Sequence, residues 1–119
     1  MAPDARRAVG SSGEDAVVAW YEAHGYQIVA RNWRVRAGEI DVIARTRTVI
    51  VFCEVKTRRS DAYGVPAEAV TATKQHRIRR LASEYFATTD AQRGDVRFDV
   101  AAVTPNGNGW SVDVLEGVF

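Results

Sequence analysis

The fold of this chain is decided by residues 48–56, which read TVIVFCEVK. The stretch is apolar on both faces along most of its length, and it ends in two charged residues, Glu54 and Lys56. A strand that is apolar on both faces is typical of the centre of a sheet that other elements cover on both sides. We therefore predict a central strand whose charged end lies at the margin of the core.

Four further strands are predicted around this central one. They cover residues 26–33 and 38–44 before it, and residues 96–103 and 110–115 after it. The connection Arg45-Thr46-Arg47 lacks Gly and Asn and is a weak turn signal, so its hairpin is inferred from the flanking strands. Asn106-Gly107-Asn108-Gly109 is a clear turn signal between the last two strands.

Two amphipathic helices complete the pattern. Ser11 or Ser12 is predicted to cap the first helix, and Gly25 to end it. Thr73 is predicted to cap the second helix. The buried stripes are predicted to comprise Val17, Trp20, Tyr21 and His24 in the first helix, and Ile78, Leu81, Ala82 and Tyr85 in the second. A short helical piece is also expected over residues 66–70.

The resulting order, α-β-β-β-α-β-β, predicts an α/β fold with a mixed central sheet flanked by helices. Residues 13–119 are predicted to form a single domain after a flexible tail at residues 1–12. A chain of 119 residues is long enough to bury a core of its own.

Composition and charge narrow the function classes. Sixteen Lys and Arg against fifteen Asp and Glu give a net charge of +1, so nucleic-acid binding would have to rest on local clusters. No apolar run approaches the ~20 residues that span a bilayer, and residues 1–13 have no apolar segment of a secretion signal. The single cysteine, Cys53, lies in an apolar run, which favours a buried thiol and a cytoplasmic location.

Acidic residues converge on the charged end of the central strand. Because side chains alternate along a strand, Glu39 and Asp41 are predicted to share one face, and Glu54 and Lys56 one face of theirs. Charges at the edge of a buried strand are costly to desolvate and favour a functional role. The alternative is a set of exposed ion pairs near a strand end.

Glu14 extends this acidic group. It lies on the same helical stripe as Val17 and Tyr21, which predicts that it points towards the sheet. The alternative is a first-turn carboxylate that only stabilises the helix dipole. Asp15 could serve the dipole from a more exposed position.

A hard divalent cation would relieve the repulsion within such a group. Two carboxylates ~4 Å apart repel by about 4 kcal/mol at an effective dielectric near 20. Oxygen donors suit Mg²⁺ or Mn²⁺, whereas zinc prefers His and Cys, and the spacing of His24 and His76 does not indicate a zinc site. A bound cation lowers the pKa of a coordinated water, and Lys56 could orient that water or stabilise charge on a phosphate.

The pattern resembles a known superfamily. GEIDVIA at residues 38–44 and VFCEVKTR at residues 51–58 are similar to the acidic strands of the PD-(D/E)xK nucleases. More narrowly, the chain resembles the bacterial YraN family of small proteins, relatives of archaeal Holliday-junction resolvases. The resemblance begins at Gly13 and also covers GEDAVVAWYEAHGYQIVARNWR, YGVPAEAVTATKQHRIRRLA and VRFDVAAV.

The resemblance implies a restriction-endonuclease-like fold and a set of site residues. By motif position, Asp41 and Glu54 correspond to metal-binding carboxylates and Lys56 to the catalytic lysine. Glu14 corresponds to the helix-borne acidic residue of the site, and it is a candidate catalytic residue and metal ligand. Glu39 matches the GEID signature and is a further candidate metal ligand. Ile40 stands where the superfamily motif has proline.

Basic and amide residues near the site are candidate nucleic-acid contacts. They are Lys74, Gln75, Arg58, Arg59, Arg34 and Arg36. The alternative is that the basic residues of this set only form a solubilising surface. Lys74 shares a stripe with Ile78 and Leu81, so it is expected either to contact a phosphate or site carboxylate, or to extend its stem over apolar surface.

Three hypotheses for function follow. The first is a Mg²⁺- or Mn²⁺-dependent nuclease, with DNA favoured over RNA and branched or single-stranded DNA as candidate substrates. The second is a non-catalytic nucleic-acid-binding module, and the third is a recruiting subunit of a repair or recombination machine, with Trp33 and Trp110 as surface anchors or as core. A homodimer would suit a branched substrate.

Asp99 is expected to pair with a neighbouring arginine.

Overall fold

The computed structural model describes residues 13–58, 71–91 and 94–119. Its elements are α1 (Gly13–Ala23), β1 (Gln27–Val35), β2 (Gly38–Arg45), β3 (Val49–Thr57), α2 (Ala72–Thr88), β4 (Asp95–Asn106) and β5 (Gly109–Leu115). This confirms the predicted order α-β-β-β-α-β-β. The predicted tail over residues 1–12 with its cap at Ser11 or Ser12, the helical piece over residues 66–70, and Arg59 lie outside the described residues.

The strands form one five-stranded mixed sheet in the order β1-β2-β3-β4-β5. β3 and β4 are parallel, and the other neighbours are antiparallel. A parallel pair needs a crossover connection, and α2 lies within it. The carboxyl ends of β3 and β4 therefore lie at one edge of the sheet. The arrangement is the α/β, restriction-endonuclease-like fold that was predicted.

The core consists of one apolar layer on each face of the sheet. The layer under α2 contains Ile40, Ile43, Ile50, Phe52, Ile78, Leu81, Ala82, Tyr85 and Phe98. The layer under α1 contains Val17, Tyr21, Val42, Ala44, Val51, Cys53, Ala101 and Val103. Trp33 packs against the first layer and Trp110 against the second.

β3 is the central strand that its sequence predicts. Ile50 and Phe52 face α2, whereas Val51 and Cys53 face α1, and all four are buried. Cys53 carries a free, buried thiol, as predicted, and burial raises its pKa. The two covered faces are what make a near-continuous apolar strand stable here.

The helix ends differ from the prediction in two places. Thr71, and not Thr73, caps α2, because its side chain accepts a hydrogen bond from the Lys74 backbone N–H at 3.2 Å. His24 is exposed and lies beyond the end of α1, so it does not belong to the buried stripe. Gly25, at φ 88°, turns the chain into β1, and the His24 ring stacks on Trp20 at 3.8 Å between centroids.

The turn between β2 and β3 is closed by a side chain. Thr46 Oγ1 accepts hydrogen bonds from the backbone N–H groups of Thr48 and Val49, at 3.3 and 3.2 Å. A threonine hydroxyl can replace the Gly or Asn of a standard hairpin turn in this way. The predicted hairpin is therefore present in spite of its weak turn signal.

Asp99 is the buried charge of the described core, with no exposed surface. Arg97 donates two hydrogen bonds to its carboxylate, both at 2.9 Å, which confirms the predicted pairing with a neighbouring arginine. Tyr21 Oη donates a third at 2.6 Å, and the Gly117 backbone N–H a fourth at 2.9 Å. The burial of this charge is tolerated because all of its oxygens are engaged.

Neither described helix is long and apolar enough to cross a membrane.

Candidate active site

Gly13 brings the start of α1 into direct contact with the carboxyl ends of β3 and β4. A Cβ at this position would lie 2.1 Å from Val103 Cγ2 and 3.3 Å from Thr57 Oγ1. Only a residue without a side chain allows this approach. Glu14, the next residue, is thereby placed over the sheet edge at which β3 ends.

In β1 and β2, the alternation of side chains between the two faces of the sheet is interrupted at the same place. The interruption lies between the registered pairs Arg31–Val42 and Trp33–Ile40. Val42 lies in the layer under α1, whereas Ile40 lies in the layer under α2. Strict alternation would place these two residues on the same face. Asn32, which lies between Arg31 and Trp33, has φ 50°, a conformation that Asn tolerates better than most residues. Asp41 lies at the same level on β2.

This interruption orients Asp41 towards β3. The Val55 backbone N–H donates a hydrogen bond of 2.8 Å to Asp41 Oδ2. Desolvation raises the pKa of Asp41 to about 6, the Val55 hydrogen bond opposes that shift, and the charges of Glu54, Glu14 and Glu39 add to it. Asp41 is thus a partly buried carboxyl within the electrostatic range of three others.

Glu54 and Lys56 lie beside Asp41 at the end of β3. Lys56 Nζ is 3.9 Å from Glu54 Oε2, and both side chains are mostly buried. The neighbouring Lys74, on the first turn of α2, lowers the pKa of Lys56 through a side-chain hydrogen bond and its charge, with desolvation in the same direction. Lys74 therefore faces the site, in agreement with the inward stripe expected for it.

Glu14 points towards the sheet, as predicted, and its side chain is only 14% exposed. Arg31 donates to Glu14 Oε1 from Nε and Nη2, at 3.2 and 3.1 Å, and Asn32 Nδ2 donates to the same oxygen at 2.9 Å. Arg31 also pairs with Asp15. These contacts give Asn32 and Arg31 a part in the site that the sequence reasoning missed, and the asparagine within a strand was the available signal.

Glu39 stands apart from this group. Its side chain is 38% exposed, and Arg34 Nε donates to Glu39 Oε2 at 3.3 Å across the β1–β2 pair. The alternation that was expected to align it with Asp41 is interrupted between Ile40 and Val42. Its charge still contributes to the raised pKa of Asp41, but more weakly than those of Glu54 and Glu14.

The candidate nucleic-acid contacts are spread around this edge. Arg36 is exposed in the turn between β1 and β2. The Arg58 backbone N–H donates to the Val103 carbonyl at 2.8 Å, at the ends of β3 and β4. Gln75 lies beside Lys74 on the first turn of α2 and is partly buried. Arg34 forms an ion pair with Glu39.

The fit of this site to a metal depends on its carboxylate pair. Within residues 13–58, 71–91 and 94–119, no group of three or more His, Cys, Asp or Glu side chains is arranged to hold an ion. Asp41 and Glu54 are nevertheless oxygen donors at one edge, and their mutual repulsion contributes to the raised pKa of Asp41. A hard divalent cation would relieve that repulsion, so the donor chemistry of the pair fits Mg²⁺ or Mn²⁺.

Comparisons with known proteins identify relatives of this chain. Residues 13–103 match the sequence model of Uncharacterised protein family UPF0102. A UPF0102 protein of Symbiobacterium thermophilum is 52% identical over 103 residues, which are 87% of each chain. UPF0102 proteins of Nocardia farcinica and Beutenbergia cavernae are each 47% identical over 116 and 115 residues, which are 96% of this chain and 91% and 98% of theirs.

Proposed function

We propose that this chain, which belongs to Uncharacterised protein family UPF0102, the YraN family, is a Mg²⁺- or Mn²⁺-dependent nuclease. Its substrate would be the phosphodiester bond of nucleic acid, with DNA favoured over RNA. One observation carries the proposal: Asp41, held by the Val55 N–H, lies beside Glu54 and Lys56 at the edge of a buried strand.

Asp41 and Glu54 would hold the cation in this proposal. When bound, a divalent cation polarises phosphoryl oxygens and lowers the pKa of a coordinated water. The Val55 N–H occupies Asp41 Oδ2 and fixes the direction of the carboxylate, so Oδ1 is the oxygen left for an ion. Glu54 contributes the second carboxylate from the adjacent strand.

Lys56 would act on the water and the phosphate. In hydrolysis, the water gives up a proton as its oxygen bonds to phosphorus, the bond from phosphorus to the leaving oxygen breaks, and that oxygen takes up a proton. The Lys56 ammonium can orient the water and stabilise negative charge on the phosphate. Because Lys74 lowers its pKa, Lys56 gives up a proton more readily than an ordinary lysine does.

Glu14 would act as a positioning residue. Its Oε1 is held by Arg31 and Asn32 of β1, so the carboxylate links α1 to the strand beside Asp41. In this role it stabilises the conformation of Asn32 at which the side-chain alternation of β1 is interrupted. It also adds negative charge that favours a cation near Asp41.

A cleavage assay tests the proposal. Linear duplex, single-stranded and four-way-junction DNA, with RNA counterparts, would be incubated with the protein in Mg²⁺ or Mn²⁺. We expect Asp41→Asn, Glu54→Gln and Lys56→Ala each to lower the cleavage rate by roughly 10²-fold or more. The matched control is Asp113→Asn, an exposed carboxylate on β5, which should cleave like the wild type. Unchanged cleavage by Asp41→Asn would refute the site.

A second candidate function is a nucleic-acid-binding module or recruiting subunit without catalysis. The specific observation in its favour is that the described carboxylates do not gather into a group of three suited to an ion. Nucleic-acid binding without cleavage, and without a rise in melting temperature on adding Mg²⁺ or Mn²⁺, would favour it. Light scattering on the same samples would show whether the protein is a homodimer, which could present two sites to a junction.

A further inference from the structure

α2 carries a second stripe of side chains beside the buried one. Thr73, His76, Arg77 and Arg80 follow one another at i, i+3, i+4 and i+7, so they share one side of the helix. The buried stripe of Ile78, Leu81 and Tyr85 lies next to it. Glu84 is the sole acidic residue of α2, against the four basic residues Lys74, Arg77, Arg79 and Arg80.

The second stripe faces the β1–β2 turn across a cleft of about 360 Å³. The cleft is lined by Thr73, His76, Arg77 and Arg80 from α2 and by Ala37 from the turn. Gly38 anchors the turn to the helix, because a Cβ there would lie 3.4 Å from Leu81 Cδ1 and 3.8 Å from Arg77 Cδ. The turn and the helix are therefore adjacent at this cleft.

Arg77 and Arg80 carry the positive charge of the cleft. Among the residues that the structure describes, no carboxylate lies within salt-bridge distance of Arg77 or Arg80. Two neighbouring arginines are engaged elsewhere: Arg34 pairs with Glu39, and the Arg79 guanidinium lies 4.8 Å from the centroid of the Phe98 ring. All four side chains of the second stripe are exposed, and Ala37 of the turn lies opposite them.

We propose that the cleft between α2 and the β1–β2 turn binds a phosphodiester group of the nucleic-acid strand. Arg77 and Arg80 would supply charge-assisted hydrogen bonds to phosphate oxygens, and Thr73 and His76 would add polar contacts. The proposal rests on the proposed function and identifies a strand-anchoring site outside the reacting groups.

The position of the cleft gives the anchored strand a path to the site. Thr73 adjoins Lys74, which lies close enough to Lys56 to lower its pKa. From Thr73 to Arg80 the helix rises about 10 Å at 1.5 Å per residue. Phosphates of one strand recur about every 3.4 Å along a duplex axis. The stripe is therefore long enough to contact more than one phosphate of a nucleic-acid strand. The following nucleotides of that strand would reach Lys74 and Lys56.

Binding without divalent metal tests the cleft separately from cleavage. Labelled DNA and RNA, single-stranded and duplex, would be titrated in EDTA over a range of salt concentrations with the full-length wild type and with Arg77→Gln/Arg80→Gln. We expect the double variant to bind at least about five-fold more weakly at 0.1 M salt. The slope of log K against log salt should fall by about 1.8 for duplex DNA and about 1.4 for a single strand, if two phosphates are lost.

Two controls test whether loss of positive charge alone weakens binding. Arg45→Gln/Arg47→Gln removes two arginines near the opposite end of β2, and Arg79→Gln removes one from α2 outside the cleft. Both should bind within about two-fold of the wild type. Circular dichroism and melting temperature would check that each variant is folded, and Arg77→Lys/Arg80→Lys, which keeps the charge, should recover part of the affinity.

The outcomes separate this proposal from the proposed function. Equal weakening in the cleft variant and the Arg45/Arg47 control would overturn the cleft, because net charge alone would explain it. A wild type that binds neither DNA nor RNA would also overturn it. A wild type that binds through the cleft, but cleaves nothing with metal, would refute the nuclease and leave the anchoring site standing. The relative loss on DNA and RNA shows which strand the cleft holds.

Discussion

The Asp41 carboxylate accepts a hydrogen bond of 2.8 Å from the Val55 backbone N–H, beyond the last registered pair of the β2–β3 ladder, Val42–Cys53. A side chain therefore continues the hydrogen bonding where the two backbones separate. This satisfies a strand N–H that would otherwise lack its partner. It also fixes the orientation of a carboxyl whose desolvation raises its pKa to about 6.

Asp41→Asn should change how the stability of the metal-free protein depends on pH. Because the folded pKa of about 6 exceeds the reference value of 3.8, the folded state keeps a proton that the unfolded state loses. The stabilisation is complete below about pH 4 and is lost as pH rises through about 6. We expect the wild type to lose on the order of 1–2 kcal/mol relative to Asp41→Asn across this window, less than the full shift implies because Asp41 is partly exposed.

Urea unfolding in EDTA at a series of pH values would measure this difference. The side-chain amide oxygen that Asp41→Asn introduces can still accept from the Val55 N–H, so the local hydrogen bond is preserved. Asp113→Asn, on the exposed side of β5, serves as the control and should follow the wild type. Parallel pH curves for the wild type and Asp41→Asn would contradict the raised pKa.

Removal of Lys74 should raise the pKa of Lys56. Its side-chain hydrogen bond and its positive charge both lower that pKa, so Lys74→Met should return the Lys56 pKa towards that of an ordinary lysine. Lys74→Arg retains the charge and should leave the pKa below the ordinary value. NMR titration of the Lys56 side chain would follow both variants. An identical titration in Lys74→Met and wild type would show that the two lysines are not coupled.

Gly13→Ala should destabilise the protein and displace the start of α1. The new methyl group would meet Val103 Cγ2 at 2.1 Å, so either the helix or the strand must move. Overpacking of this kind costs about 1–3 kcal/mol in the free energy of unfolding. The matched control is Gly109→Ala, where the nearest atom to a Cβ lies 4.0 Å away. Chemical denaturation of both variants gives the comparison, and equal stabilities would disprove the close approach.

Asp99→Asn should be strongly destabilising. Arg97 donates two hydrogen bonds to this carboxylate, and the change would leave the guanidinium, with 22% of its side chain exposed, without its main counter-charge. Loss of one partner of a buried pair costs about 3 kcal/mol or more. Asp113→Asn again provides an exposed comparison and should change stability by less than about 0.5 kcal/mol. A similar midpoint for the two variants in a thermal melt would show that the pair contributes little.

Much of the site could be predicted because its residues lie on a regular strand. Glu54 and Lys56 follow Ile50 and Phe52 at a spacing of two, and β3 keeps that alternation along its apolar stretch. Glu14 likewise follows the helical period of Val17 and Tyr21. Local periodicity was sufficient in these elements because their hydrogen bonding is uninterrupted.

The position of Glu39 relative to Asp41 could not be predicted in this way. Alternation is interrupted between Ile40 and Val42, next to the positive φ of Asn32 on the adjacent strand. Whether two strands stay in regular alternation depends on the pairing of both, and no residue of β2 alone encodes it. The spacing of Arg77 and Arg80 along α2 likewise cannot show the turn that faces them.

The sequence by itself determined the element order, the central position of β3 and the residues at its charged end, because periods of 2 and 3.6 residues are local properties of the chain. The tertiary structure alone decided that Asp41 turns to Val55, that Glu14 is held by Arg31 and Asn32, and that Lys74 meets Lys56. These relationships join residues on different elements. They depend on strand register and on how closely a helix approaches the sheet, which are set by packing of the whole domain.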